Sequence, residues 1–186
     1  MRADTNFAPI VTERLVLRRS RPGDAETISA YRSDPEVHRF QGWERVDPDA
    51  VRAEIAEMAT LAPGEGGWVQ FSVERRDRGV LVGDVGLSPI DGEPGVIKVG
   101  YTMAPAFQGR GYGTEAVSAL VDYAFDVLGA EIVRAHASAD NMSSIRVMEK
   151  VGMHLIARIE HREDDEVWYG VRYERRRDRP REASSG

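Results

Sequence analysis

Gln108-Gly109-Arg110-Gly111-Tyr112-Gly113 joins an apolar strand pattern to an amphipathic helix pattern, and its reading decides the fold. Glycine lets the backbone turn tightly and lets a ligand approach closely. The first amides of a helix have no internal acceptor and sit at the positive end of the helix dipole. A loop of this make-up is expected to cradle an anion, above all a phosphate. The competing reading is a glycine-rich turn that only packs a helix closely.

The flanking sequence places this loop between a strand and a helix. Upstream, Val96-Ile97-Lys98-Val99-Gly100-Tyr101 puts Ile97, Val99 and Tyr101 on one strand face. Downstream, Ala116, Val117, Leu120, Val121, Ala124, Phe125 and Leu128 recur at helical spacing until Gly129 stops the helix. A nucleoside-triphosphate loop needs Lys and then Ser or Thr after its last glycine, but Gly113 is followed by Thr114-Glu115. A dinucleotide fingerprint needs a third glycine where Thr114 stands. Both readings are excluded.

Gln108-x-x-Gly111-x-Gly113 resembles the pyrophosphate-binding motif of the GNAT superfamily of N-acetyltransferases. Further segments resemble the branch that contains the ribosomal-protein alanine and serine N-terminal acetyltransferases. They are Thr12-Glu13-Arg14-Leu15-Val16-Leu17-Arg18, Val99-Gly100-Tyr101, Gly111-Tyr112-Gly113-Thr114-Glu115-Ala116 and the stretch from Asn141 to Met153. These fall in the order found in that branch and span Thr12 to Tyr173.

The rest of the chain reads as mixed α/β. A strand is expected at Leu15 to Arg18, then a helix carrying Ala25, Ile28 and Tyr31 inward and ending near Asp34-Pro35. A second helix is expected from Pro48 to Leu61, capped by Asp47. Trp68 to Glu74 and Val80 to Leu87 predict a hairpin. Glu131 to Ala137 predicts a strand, Ser143 to Val151 a short helix, and His154 to Glu160 with Val167 to Tyr173 a closing pair. The resemblance implies an α+β fold with a mostly antiparallel central sheet, flanking helices and a V-shaped splay between the strand ending at Tyr101 and the one at Glu131 to Ala137. Residues 1–174 are expected to form one domain, and 175–186, with the basic run Arg175-Arg176-Arg177-Asp178-Arg179, a disordered tail.

Composition narrows the function classes. The chain has 186 residues, a net charge of −6 and no cysteine. That charge argues against a general nucleic-acid binder, and the missing cysteine removes disulfides, thiolate metal sites and any acyl-cysteine intermediate. No apolar run approaches the roughly 20 residues that span a bilayer, and the N-terminus lacks a signal-peptide core, so a cytoplasmic location without membrane association is expected. His38, His136, His154 and His161 lack the spacing of a zinc site, so no metal is expected. No nucleophile elbow surrounds Ser88, which argues against a serine hydrolase.

The resemblance implies acetyl-coenzyme A as cosubstrate and direct attack by a neutral amine on its thioester, the acceptor being a protein N-terminus or a small molecule. It implies coenzyme contacts from Tyr101, Thr102, Met103, Gln108, Gly109, Arg110, Gly111, Tyr112, Gly113, Thr114, Asn141 and Ser144, with a backbone N–H near Met103 polarising the thioester carbonyl. Ser144 is the expected proton donor to the departing thiolate. Asn141 and Ser144 also read as helix-capping residues, and the two roles are compatible. Many relatives carry a glutamate before their I/V-G-Y segment, where this chain has Lys98. Asp84 and His136 are therefore the candidates for general base, with water as the other route. Trp43, Glu44 and Tyr101 are candidates for holding the acceptor, although Trp43 also reads as a core cover and Glu44 as a solvated carboxylate. The chain is expected to be a monomer or homodimer. The alternative to an enzyme is a non-catalytic coenzyme-A-binding sensor or assembly module.

Overall fold

The computed structural model describes residues 1–41, 46–163 and 166–178. Among the described residues, eight strands form a single sheet: β1 (Ile10–Val11), β2 (Leu15–Arg19), β3 (Val69–Arg75), β4 (Leu81–Pro89), β5 (Val96–Met103), β6 (Ile132–Ser138), β7 (His154–Glu163) and β8 (Glu166–Arg176). The spatial order is β1-β2-β3-β4-β5-β6-β8-β7. Every neighbouring pair is antiparallel except β5 and β6. The α-helices described beside the sheet are α1 (Ala25–Arg32), α2 (Pro35–His38), α3 (Pro48–Met58), α4 (Tyr112–Asp126) and α5 (Met142–Lys150).

Alternation along the strands separates two unlike faces. Val69, Phe71 and Val73 of β3, Val85 and Leu87 of β4, and Ile97 and Val99 of β5 are buried in one cluster with Ala116, Val117, Leu120, Val121, Ala124 and Leu128, from α4 and the turn after it. Ile145 and Met148 of α5 join the same cluster. Because strand side chains alternate with period two, the intervening Gln70, Ser72, Asp84, Gly86, Gly100 and Thr102 point to the second face. Part of that face is covered by α1 and α3, whose Ala25, Ile28, Tyr31, Val51 and Ile55 form a smaller core with Ala104.

The two central strands diverge. β4 and β5 are in register from Gly83–Met103 to Pro89–Ile97, seven pairs in all. β5 and β6 pair only at Val96–Ile132, Ile97–Val133 and Lys98–Arg134. Beyond Lys98 the backbones of Val99–Met103 and of Ala135–Ser138 no longer meet, which is the expected V. Its first open level is Gly100 opposite His136 on the second face, by continuation of the parallel register.

Local signals account for most element ends. Asp47 caps α3 through the Ala50 N–H at 3.0 Å, and Asn141 caps α5 through the Ser144 N–H at 3.0 Å. The expected hairpins appear with ends shifted by at most three residues. The C-terminal boundary moves further: β8 runs to Arg176, with Arg175 opposite Val133 and Arg176 opposite Ile132. The Arg177 N–H also donates to the Glu131 carbonyl at 2.9 Å. The first residues of the expected tail are thus built into the sheet, because the basic side chains lie along a strand that continues its alternation. Arg175 adds a contact over the Phe125 ring and a hydrogen bond to the Val151 carbonyl at 3.3 Å.

Candidate active site

The glycine loop lies at the surface where β5 leads into α4. Gly109 and Gly111 have φ of +71° and +81°, a left-handed conformation that side-chain-bearing residues rarely adopt. The first backbone hydrogen bond of α4 runs from the Glu115 N–H to the Gly111 carbonyl at 3.0 Å. The Tyr112, Gly113 and Thr114 amides therefore stand at the open, positive end of the helix. Gly113 has a different task. A Cβ there would sit 3.3 Å from Met103 Cγ and 3.7 Å from Val147 Cγ2, so the missing side chain lets α4 approach β5 and α5. The loop thus combines an open helix end with a packing device, at different glycines.

Two contacts hold the cradle in place. Gln108 Nε2 donates to the Met103 carbonyl at 3.0 Å, tying the loop to the end of β5. On the other side, the Glu115 carboxylate accepts from the Thr12 hydroxyl at 2.6 Å, the Arg14 N–H at 2.8 Å and Arg14 Nε at 2.6 Å. Arg14 also donates to the Arg110 carbonyl at 3.1 Å and lies over the Tyr112 ring. Burial opposes ionisation of Glu115, but the Thr12 and Arg14 donors outweigh it and hold the carboxyl below its usual range. This explains why the Thr12-Glu13-Arg14 and Gly113-Thr114-Glu115 segments occur together: they are two halves of one clamp. The Tyr112 ring is buried, so what this residue offers the cradle is its amide.

The wall of the V on the α4 and α5 side carries Tyr101. Its hydroxyl lies 2.7 Å from Ser144 Oγ and donates to the Ser144 carbonyl at 2.9 Å. Burial pushes the Tyr101 hydroxyl up to about 12, while its bond to Ser144 pulls the other way. Asn141 and Ser144 thus cap and begin α5, as local sequence signals predict, and α5 also brings the Ser144 hydroxyl to β5. Thr102 points to the second face, where its hydroxyl accepts from Gln41 Nε2 at 3.3 Å. Only its backbone can face the V beside Tyr101 and Met103.

Asp84 and His136 lie on that second face, in different settings. Asp84 is 5% exposed and sits beneath α1, where the Tyr31 hydroxyl donates to its Oδ2. Arg32 Nη2 stands 3.8 Å from Oδ1 and also donates to Gln70 Oε1 at 2.8 Å. Burial raises the Asp84 carboxyl, opposed by Arg32 and the Tyr31 hydrogen bond. His136 is exposed at the first open level of the V, and its Nε2 accepts from Arg172 Nε at 3.2 Å. Burial of part of the ring, then Arg172, Arg134 and Lys98, lower its pKa and keep it neutral. The structure does not bring these two candidates together: Asp84 lies on β4 level with Thr102, two residues past the Gly100 level of His136 toward the open end of the V.

Trp43 and Glu44 lie outside the described residues. Besides Tyr101 on the other face, the aromatic group that the structure places by the V is Trp68, which the sequence alone marks only as the start of a strand. Its indole lies over Gly86 and Gly100: a Cβ on Gly86 would run into the ring, and one on Gly100 would stand 3.0 Å from Cη2. Lys98 Nζ is 5.6 Å from the centre of the Trp68 ring. The signal was present as two glycines, one in each predicted strand. It became readable only once the register set Gly86 opposite Gly100. The helical pattern marks Tyr31 only as an inward-facing residue, and nothing in the local sequence of Arg32 or Arg172 marks them as part of a site. Among the described residues no group of three or more His, Asp or Glu side chains is placed to hold a metal ion. No helix among them is long and apolar enough to cross a membrane.

Residues 14–154 match the family model described as an acetyltransferase (GNAT) domain. The chain is 31% identical over 148 residues to YoaA of Bacillus subtilis (strain 168), named an uncharacterized N-acetyltransferase, covering 78% of this chain and 82% of that protein. Among solved structures, the ribosomal-protein-S5-alanine acetyltransferase of Vibrio fischeri superposes with a TM-score of 0.75 at 18% identity, covering 92% of this chain and 98% of that one. The spermidine N-acetyltransferase of Vibrio cholerae, in complex with coenzyme A and spermine, superposes with a TM-score of 0.74 at 18% identity, covering 89% and 96%. These structural likenesses establish the shared fold.

Proposed function

The chain belongs to the GNAT acetyltransferase family, and on that premise we propose that it transfers an acetyl group from acetyl-coenzyme A to a primary amine within a ternary complex, its acceptor entering from the second face of the sheet. The observation that carries this reading is the junction of an anion cradle with a strand pair that stops pairing after Lys98. The residues fit the cosubstrate. Gly109 has no atom within 4 Å of the position its Cβ would take, so backbone is exposed there to an approaching phosphate. The diverging strands leave backbone groups of β5 and β6 free to bind an extended arm.

When bound, acetyl-coenzyme A supplies an activated acyl group on a thiolate leaving group. In this reading the amides from Gly109 to Thr114 hold the pyrophosphate, and Gln108 fixes their position relative to β5. Ser144 Oγ delivers a proton to the departing sulfur, and the Tyr101 hydroxyl, 2.7 Å away, orients that serine. Removing the acceptor's proton falls to water at the mouth of the V. Asp84 is occupied by Tyr31 and buried under α1. Protonating His136 at Nε2 would set a new N–H against the Arg172 N–H that it now accepts.

Calorimetric titration with acetyl-coenzyme A, with ATP and NAD as controls, tests the cosubstrate. Selective binding of acetyl-coenzyme A is the expected result. Preference for ATP or NAD, or no binding at all, would overturn the reading. Release of free thiol on adding an amine then tests the transfer itself.

A further inference from the structure

The mouth of the V on the second face is bordered by cations. By register, Lys98 of β5 lies beside Arg134 of β6 at the last paired level, and His136 opposite Arg172 of β8 at the next. Four basic side chains thus surround the place where an acceptor must enter. The carboxylates nearby are committed. Glu93 takes both Arg134 terminal nitrogens, at 2.6 and 2.8 Å, and Glu174 takes Arg134 Nε at 2.7 Å. Lys98 is exposed and rests by the Trp68 ring, and Arg172 donates to the neutral His136. Among the described residues, neither Lys98 nor Arg172 forms an ion pair with a carboxylate. Among the described residues, a chain with a net charge of −6 therefore keeps two cations outside any direct ion pair at the opening of its site, with Arg172 feeling Glu93 only at longer range. Close charges of this kind dominate over the remote net charge, which salt screens beyond about 8 Å.

We propose that Lys98 and Arg172 select an acceptor that carries a carboxylate close to its reacting amine, with the Trp68 indole forming the wall beside it. This rests on the acetyltransferase reading above and names the chemical class of its acceptor. The amine is drawn toward Gly100 while the carboxylate settles over β6, between Lys98 and Arg172. A guanidinium can bind a carboxylate through two parallel N–H bonds, and an ammonium adds a point charge. A polyamine would meet like charge at the same place. The carboxylate can come from a small acidic amine or, at longer reach, from the second residue of an acidic peptide N-terminus, and the two arms of the test below separate these sources.

The test measures thiol release from acetyl-coenzyme A with matched acceptors. One arm compares Ala-Glu-Ala amide with Ala-Gln-Ala amide and Ala-Lys-Ala amide. The other compares glutamate with its diamide and with spermidine. The expected result is a preference in kcat/KM for the acidic member of at least one arm of about tenfold, the scale of one hydrogen bond to a charged group. Lys98→Gln and Arg172→Gln should each shrink that preference, mainly by raising KM for the acidic acceptor. Calorimetric binding of acetyl-coenzyme A by both variants confirms that they are folded. Equal or better use of the neutral or cationic acceptors in both arms overturns the inference, as does a preference that survives both substitutions. Binding of acetyl-coenzyme A with no turnover of any acceptor also overturns it, while leaving the cosubstrate reading intact. Failure to bind acetyl-coenzyme A sinks both.

Discussion

Tyr101 and Ser144, 43 residues apart in sequence, meet at 2.7 Å between their hydroxyl oxygens where β5 passes the start of α5. The contact joins the strand that opens the V to the helix whose first turn borders it. A positioned general acid is worth roughly a hundredfold or more. Ser144→Ala should therefore lower kcat by that order while leaving affinity for acetyl-coenzyme A near the wild-type value. Tyr101→Phe should produce a smaller fall, because it removes the serine's partner and not the donor. Steady-state kinetics paired with calorimetry separates these outcomes, and unchanged turnover in Ser144→Ala would reduce the residue to a helix-start position. With the Tyr101 hydroxyl pushed up to about 12, it stays protonated across the assay range, so no limb of the rate profile below pH 10 should depend on Tyr101.

Gly111→Val should cripple the cradle. At φ +81° a Cβ would lie 3.3 Å from Arg14 Nη2, and the left-handed conformation itself costs a side-chain-bearing residue about 1–2 kcal/mol. The expected outcome is a folded protein whose acetyl-coenzyme A affinity falls at least tenfold. Wild-type affinity in that variant would remove the cradle assignment.

The Arg14–Glu115 clamp makes stability depend on acid. The Glu115 carboxyl is held below its ordinary value, so its contribution is fully present above the unfolded-state pKa of about 4.3 and is lost as pH falls through the depressed native one. Asp24 follows the same sign. Burial opposes its ionisation, but Arg18, the Arg21 amide and the Ser72 hydroxyl outweigh it. Thermal melts from pH 7 to pH 3 should show a steep acid loss in the wild type. In Glu115→Gln the melting temperature should be lower at pH 7 and its acid loss shallower. Parallel curves would show that the clamp carries no linkage.

Asp84 should behave oppositely. Its carboxyl is raised by burial, so stability falls as pH rises from the ordinary aspartate value, about 3.9, through the raised native one. Asp84→Asn, which keeps an acceptor for the Tyr31 hydroxyl, should flatten that dependence. Asp84→Ala leaves the buried Tyr31 hydroxyl without its acceptor, while Arg32 keeps Glu54 and Gln70, and should cost about 1–3 kcal/mol in a urea titration. A large loss of turnover in a stable Asp84→Asn protein would restore Asp84 as a proton acceptor.

Gly86→Ala should displace the Trp68 ring, since a Cβ there would run into the indole. Overpacking of this kind costs about 1–3 kcal/mol. The expected kinetic effect is a higher KM for the acceptor with little change for acetyl-coenzyme A. An unchanged acceptor KM would mean that Trp68 does not line the acceptor's path.

What could be read from the chain alone is what depends on neighbours in sequence. The glycine spacing after β5, the apolar period of α4, the Asn141 and Asp47 caps and the alternation of the hairpin strands are local patterns, because helix and strand periodicities and cap hydrogen bonds span only a few residues. They were enough for the mixed sheet, the cradle and the presence of Ser144 at the start of α5. The tertiary structure decided what each side chain faces. Asp84 alternates onto a face that α1 happens to cover, so a strand carboxylate became a buried partner of Tyr31. His136 falls beside Arg172 because β8, not β7, pairs with β6. Trp68 lies flat only because the register sets Gly86 against Gly100. Lys98, legible in the sequence only as a missing glutamate, acquires Trp68 and Arg134 as neighbours only through the sheet. Charge and burial act through space across distances that sequence separation does not measure, so these groups could be named from the chain but not given their environment.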